Sequence, residues 1–478
     1  MKTYSQNMNR LSKPLLTISA LVLATSQALA AGEAKNVILF IGDGMGPVSV
    51  TAARIFKYGE AGSLAMDTLP RAARIRTFSL DAQTTDSAPS MAAYTTGVKM
   101  KNDVISMDGA TNTFNPSADT SVTPNVRNAV NNCPATGNGL PSATILEQAI
   151  AKGKAAGVVS TARLTHATPA ATFAHVCSRD AEYEIARQAI PGGAGYNAAL
   201  GKGIDVLLGG ISYYWRPHNP TTNPRGRPDG RNLVAELQAK GYNAATDFAS
   251  FNAAGTDKPL IGLFDQALAE GHMPYELDRN PLEVPSLAQM TTKSIDILSK
   301  NANGYFLMVE GGRIDHALHG NNAKRALADT IAFDDAIKAA LGKVDLANTL
   351  IVVTADHDHT LAFNGYSPLG NDILGKSRDI KTKNLQLAAD GKPYTTLVFG
   401  NGTTPRNDPA TGARADLTNI DTSGDKNYKQ QVAVPLSGSE THGGGDVMLF
   451  AAGAGSKVFK GSLDNTKVFG LMRQAFGF

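Results

Sequence analysis

Nine histidines are spread through the 478 residues, and seven of them stand within a few residues of an Asp, Glu, Thr or Arg in polar clusters that follow short apolar runs. Imidazoles and carboxylates gathered in this way form the ligand set of cations such as zinc, so metal chemistry leads the reading. In Glu310-Gly-Gly-Arg-Ile-Asp315-His316-Ala-Leu-His319, Asp315 and His319 are four residues apart. On a helical turn they share one face and can hold one cation, while Glu310 at a strand end serves another. In Thr354-Ala-Asp356-His357-Asp358-His359, Asp356 and His357 need a bend to meet at one metal, whereas His357 and His359 alternate onto the same side of an extended chain. Gly42-Asp43-Gly44-Met45-Gly46 and Glu440-Thr-His442-Gly-Gly-Gly each place one ligand among glycines that admit close approach. Alone, each of these two also fits an ordinary turn.

Two further pieces supply different groups. Thr85-Asp86-Ser87 precedes an Ala-rich helical segment, and a helix N-terminus suits a phosphate or an alkoxide, although Ser87 as a plain cap fits equally. Arg163-Leu-Thr-His166-Ala-Thr168-Pro and His175-Val-Cys-Ser-Arg179-Asp180 add imidazoles, a hydroxyl and a guanidinium whose fork matches two phosphate oxygens. The plainer alternative for Arg179 is a surface ion pair with Asp180. No Ser-His-Asp spacing is evident, which leaves a metal as the activating group for the serine.

The elements that must carry these groups are short, nearly continuous apolar runs at Val37–Ile41, Ala156–Val159, Ile204–Leu208, Tyr305–Val309 and Leu350–Val353. Such runs read as buried parallel strands. Helical patterns lie between them: Ser142 to Lys152 with Ser142 as N-cap, about Pro285 to Lys300, and Asn322 to Leu341. The alternation predicts an α/β three-layer sandwich, a central mostly parallel sheet with helices on both faces, with ligands gathered beyond the carboxyl ends of the strands. Residues 219–231 and about 361–439, rich in Gly, Pro, Asn and Asp or Thr, read as surface insertions in a single domain spanning 31–478.

Composition narrows the setting. The net charge of +3 comes from Lys2, Arg10 and Lys13, and without them basic and acidic residues balance at 42 each. That gives no electrostatic footprint for nucleic acid. The same positive stretch precedes an apolar run from about Leu15 to Ala24 and Ala28-Leu29-Ala30, the layout of a cleavable signal peptide over residues 1–30 and too short to span a membrane. Export to a secreted or periplasmic location makes a Cys133–Cys177 disulfide the expectation.

With these pieces in order along the chain, the sequence resembles the alkaline phosphatases from about Asn36 to its C-terminal region. The resemblance implies that Asp315, His319 and His442 hold one zinc, and that Asp43, Asp356 and His357 hold a second. Asp43 would also bridge to one magnesium completed by Thr168 and Glu310. Ser87 takes the place of the nucleophile that becomes a phosphoserine and Arg179 that of the phosphate clamp, while His166, His316 and His359 stand behind the ligands. The implied activity is hydrolysis of small phosphate monoesters of broad range, releasing inorganic phosphate, by in-line displacement between two zinc ions. The family's dimer-facing crown corresponds to the 361–439 insertion, so a homodimer is expected. A sulfatase is excluded because Ser87-Ala-Pro-Ser-Met91 has Met where that chemistry requires Arg. A phosphodiesterase on the same scaffold and a non-catalytic periplasmic metal- or phosphate-binding protein are the alternatives.

Overall fold

Val37 to Ile41 are wholly inaccessible because their strand, β1 (Asn36–Gly42), lies inside a ten-stranded sheet covered on both sides. In the computed structural model, residues 33–264, 271–403 and 411–478 are described; the signal peptide expected over residues 1–30 lies outside them. The other strands of the sheet are β2 (Arg71–Arg76), β3 (Ala155–Arg163), β4 (Val206–Gly210), β5 (Asn243–Ala245), β6 (Leu260–Leu263), β7 (Tyr305–Gly311), β8 (Thr349–Ala355), β9 (Val447–Gly453) and β10 (Gly461–Asp464). Their order is β10-β2-β9-β8-β1-β7-β3-β4-β6-β5. Only β9 runs against the rest, pairing antiparallel with β8 and β2.

The five apolar runs read from the sequence all became central parallel strands. The strands that periodicity did not mark are short or at the margins. β2 alternates exposed arginines with buried Ala73 and Ile75, and β5 has three residues.

Helices α1 (Pro47–Tyr58), α4 (Leu287–Leu298), α5 (Arg313–His319) and α6 (Ala323–Leu341) pack together on one face. A second group, α2 (Ser87–Thr96), α3 (Ile145–Ala151) and α7 (Asn465–Phe476), covers the other. The expected start of α3 at Ser142 is corrected by the structure. Thr144 is the cap, its hydroxyl accepting from Glu147 N while the Glu147 carboxylate accepts from Thr144 N, a reciprocal pair that Ser142 lacks an acidic partner to make. Asn322 does cap α6, accepting from Arg325 N.

Register fixes where the strand ends fall. Gly42 pairs with Ala355 on one side and Gly311 on the other, and Glu310 is level with Ile41 and Ser160. The next residues, Asp43 and Asp356, therefore leave the sheet side by side with Glu310 two residues behind. The chain segment 361–439 builds a separate three-stranded sheet from Leu361–Phe363, Leu397–Gly402 and Val432–Pro435. Residues 219–231 are not wholly superficial, since the Arg227 guanidinium is buried and donates to the carbonyls of Tyr183 and Tyr214. Among the described residues no helix is long and apolar enough to cross a membrane.

Cys133 and Cys177 come together as a disulfide with Cα atoms 5.7 Å apart, closing a loop of 44 residues that contains β3. Loop-closure entropy for that length gives about 4 kcal/mol. Cys133→Ser is expected to lower the unfolding free energy by an amount of that order in denaturant titration under oxidising conditions, and added reductant should produce the same loss in the parent and none in the variant.

Candidate active site

Three carboxylates meet at the carboxyl edge of β1, β7 and β8, with the His357 imidazole against two of them, its Nε2 3.3 Å from Asp43 Oδ1 and 3.6 Å from Asp356 Oδ2. Asp43, Glu310 and Asp356 are all fully buried. Asp356 Oδ1 accepts from the backbone N–H of Gly44 and of His357, both at 3.0 Å, and Ser160 donates to Glu310 Oε2. The remaining oxygens, Asp43 Oδ2, Glu310 Oε1 and Asp356 Oδ2, have no partner, and neither has Thr168 Oγ1 on the short helix Ala167–Ala170. Four orphaned buried oxygens in one place leave a need that a cation fills. Burial, with neighbouring Asp315, pushes Asp43 up to about 7. Burial and Asp43 do the same to Asp356 and lift Glu310 well above its usual range.

Three histidines complete the pattern through their tautomers. Nδ1 of His319 lies 2.6 Å from the Glu440 carbonyl, Nδ1 of His357 3.1 Å from the Asp358 carbonyl, and Nδ1 of His442 2.8 Å from the Thr85 carbonyl. A carbonyl only accepts, so each Nδ1 carries the hydrogen and each Nε2 presents a lone pair. Those Nε2 atoms point at acceptors: His319 and His442 at one another (3.1 Å) and at Asp315 Oδ1 (3.2 and 3.5 Å), His357 at Asp43 Oδ1 (3.3 Å). Lone pairs facing lone pairs at these distances call for a positive charge between them, and such backbone anchoring of Nδ1 is the usual support of a metal-binding imidazole.

His359 is different. Its Nδ1 and Nε2 both donate to carboxylates, Glu440 at 2.6 Å and Asp315 at 2.7 Å. Burial opposes its charge, but these two hydrogen bonds prevail and push the imidazole up to about 10. It is a cationic brace for Asp315 with no lone pair to give. His166 and His316 lie in ring contact, centroids 5.3 Å apart, and burial holds both well below the usual histidine range. His166 is also close enough to Asp43 and Glu310 for the three to surround one ion.

Ser87 sits at the first position of α2, not at its cap, which is Asp86. Its Oγ is 3.1 Å from His357 Nε2 and 3.4 Å from Asp43 Oδ1. Arg179 turns away from Asp180: its Nη1 is bound to Asp86 and its Nη2 lies 3.0 Å from His166 Nε2. The Arg179 guanidinium is thus tethered to the residue beside the serine.

Two participants escaped the sequence reading as individuals. Asp86 was seen only as part of the serine piece. Glu440 accepts from Thr360 N and Oγ1 as well as His359, so it ties the two ends of the 361–439 insertion together and sets His359 opposite His442. Its proximity in sequence to His442 was the one available signal. Gly46 packs closely on the same segment, where a Cβ would lie 1.5 Å from Asp358 Oδ1 and force that carboxylate to move.

Comparison with known proteins agrees with this geometry. Residues 34–478 match the family model described as Alkaline phosphatase. The alkaline phosphatase of Gadus morhua is 38% identical over 454 residues, covering 89% of this chain and 88% of that protein. The tissue-nonspecific isozyme of Homo sapiens is 37% identical over 455 residues, covering 89% and 80%. Among solved structures, the cold-active alkaline phosphatase from a psychrophilic Shewanella is 27% identical, covers 92% of this chain and 99% of its own, and superposes with a TM-score of 0.62.

The carboxylates give a pH prediction whose sign is fixed. Asp43 and Asp356 have folded values near 7 against 3.8 in an unfolded chain, so in metal-free protein their contribution is full below about pH 4 and lost as pH rises through 7. Calorimetry of chelated protein should show a melting temperature falling between about pH 4 and 7. Restoring zinc and magnesium should reverse the slope, and a chelated protein that gains stability over that range would refute the cluster's role.

Proposed function

The chain belongs to the alkaline phosphatase family and is a phosphoric monoester hydrolase, and from that premise we propose that Ser87 is its nucleophile in a metal-dependent hydrolysis through a phosphoserine. The observation that carries the reading is the set of unpartnered oxygens and Nε2 lone pairs, of whose residues His357 and Asp43 reach the Ser87 hydroxyl at 3.1 and 3.4 Å. These fit two zinc ions, one held by Asp315, His319 and His442 and one by Asp43, Asp356 and His357, and a magnesium held by Asp43, Thr168 and Glu310. When bound, the ions supply Lewis-acid stabilisation of the entering and leaving oxygens and of the charge that accumulates at phosphorus.

The protein's own groups do the rest. Ser87 Oγ attacks phosphorus, the serine O–P bond forms as the ester P–O bond breaks, and the departing oxygen leaves as the alcohol, the proton it takes up balancing the one Ser87 gives up. Arg179, tethered at Nη1 by Asp86, directs its remaining N–H groups at non-reacting phosphoryl oxygens, and the free N–H groups at the start of α2 face the same charge. Water then displaces Ser87 to release inorganic phosphate. His359 and Glu440 hold Asp315 and both ends of the crown-like insertion in register. His166 and His316, neutral and buried, set the polarity behind Arg179 and Glu310. Since the groups assigned to the reaction are all directed at the phosphoryl group, a broad range of monoesters is the expected substrate class. The sequence of residues 1–30 supports export. Tyr366 and Leu369, 84% and 87% exposed on the insertion, support pairing of two copies there.

Two measurements test the assignment. Ser87→Ala should lower kcat for nitrophenyl phosphate by at least about 10³-fold while metal content is retained, and acid-quenched parent protein should carry label from radioactive phosphate on Ser87. Turnover of the monoester should exceed that of bis(nitrophenyl) phosphate; faster diester cleavage would point to a phosphodiesterase, and parent-level activity in the alanine variant would displace Ser87 as nucleophile.

A further inference from the structure

Asp86 stands at the N-cap of α2, where a carboxylate ordinarily accepts from the N–H of the second or third helical residue, yet its side chain makes no capping bond. One of those donors is missing, since the third residue is Pro89. The carboxylate turns instead to two partners outside the helix. Oδ1 takes the Arg179 Nη1 donor, and Oδ2 accepts from the backbone N–H of Asp103 at 3.1 Å.

The turn at Asn102 and Asp103 holds this arrangement together. Asn102 Oδ1 accepts from Asp86 N at 3.2 Å, so the turn binds Asp86 twice, once at its main chain and once at its carboxylate. The Asp103 carbonyl then accepts from Arg179 N at 2.8 Å. Two consecutive residues thus grip the residue before the serine and the main chain of Arg179, which are 93 residues apart. Asp103 reaches this geometry with a φ of 68°, the left-handed region that Asn and Asp enter more readily than other side chains. The turn is itself anchored: Asn102 N donates to Asp81 Oδ1 at 2.9 Å, and the Asn102 carbonyl accepts from Thr113 Oγ1 at 3.1 Å. Beside it, Ile105 and Val176 exchange backbone hydrogen bonds at 3.0 and 3.1 Å, which locks the two segments in register just ahead of Arg179.

We propose that Asn102 and Asp103 are positioning residues for the phosphate-binding guanidinium: they keep the Asp86 carboxylate on Arg179 and off the N-terminus of α2, and so fix Arg179 relative to Ser87 before substrate arrives. Neither touches the phosphoryl group. The proposal rests on the reading of Ser87 as nucleophile and Arg179 as phosphate ligand. A guanidinium held in place beforehand meets the phosphoryl oxygens without reorganising. Released from the turn, the Asp86 carboxylate is free to cap α2 at Ala88 N, and Arg179 keeps only its contact with His166 on that side.

The test uses zinc- and magnesium-loaded protein, nitrophenyl phosphate as substrate and inorganic phosphate as competitive inhibitor. Asn102→Leu removes the acceptor at nearly constant size, and because the position is half-buried the variant should keep the parent's melting temperature and metal content. The expected result is kcat/KM about fivefold lower, with the phosphate inhibition constant about fivefold higher. Asp103→Val, whose branched side chain resists a positive φ, should lose as much, and Asp103→Gly, which takes that φ freely, should recover at least about half of the parent kcat/KM. In the Arg179→Ala background, Asn102→Leu should change phosphate affinity by less than about twofold, because the residue it works through is gone. Equal losses in both backgrounds, or parent values in Asn102→Leu, overturn the positioning role. Parent-level phosphate affinity in Arg179→Ala overturns instead the assignment of Arg179, a separate failure.

Discussion

Three carboxylates that cannot all be charged together lie at the ends of three adjacent strands, and the rest of the molecule depends on that constraint. Asp43, Glu310 and Asp356 are fully buried and share no basic neighbour that would neutralise them all. Burying carboxylates unpaired carries a penalty of several kcal/mol each, so the fold holds them either protonated or around cations. Parallel register brings them together: Gly42 is level with Ala355, so Asp43 and Asp356 follow side by side, and Glu310 is level with Ile41 on the neighbouring strand. The same edge of the sheet receives the start of α2 with Ser87, and backbone carbonyls aim the three Nε2 atoms inward.

A second constraint is topological. His442 lies more than 80 residues beyond His357, yet both face one pocket, with rings stacked 3.6 Å apart. Glu440 makes this possible by gripping Thr360 and His359 at the near end of the intervening segment. The interior of the 361–439 region also touches the turn just after His319, since Asn321 donates to the Asn401 carbonyl and accepts from Gln430 N at its own carbonyl.

Much of this could be read from the amino acids. The central strands announce themselves because double burial removes any polar alternation, as in Leu350–Val353, and a polar cluster directly after such a run has little structural reason to exist. Asp315 and His319 fell into place through helical spacing alone. What local pattern could not supply was pairing across the chain. Arg179 has Asp180 as its sequence neighbour but Asp86 as its partner, 93 residues away. The distinction between His359 as a brace and His357 as a lone-pair donor depends on which acceptors reach each Nδ1, and no spacing encodes that. Ser142 and Thr144 are interchangeable as caps until the position of Glu147 is considered. The marginal strands stayed hidden because a run of three residues, or one alternating with arginine, has no signature of its own.

The account's central claim is that the carboxylates and the Nε2 lone pairs exist to hold cations. Elemental analysis of purified protein, with phosphatase activity followed through chelation and reconstitution, tests it most directly. The account predicts two zinc ions and one magnesium ion per fully active chain, with activity lost on chelation and recovered on adding both metals back. Full activity in protein carrying fewer than two transition-metal ions per chain would contradict it.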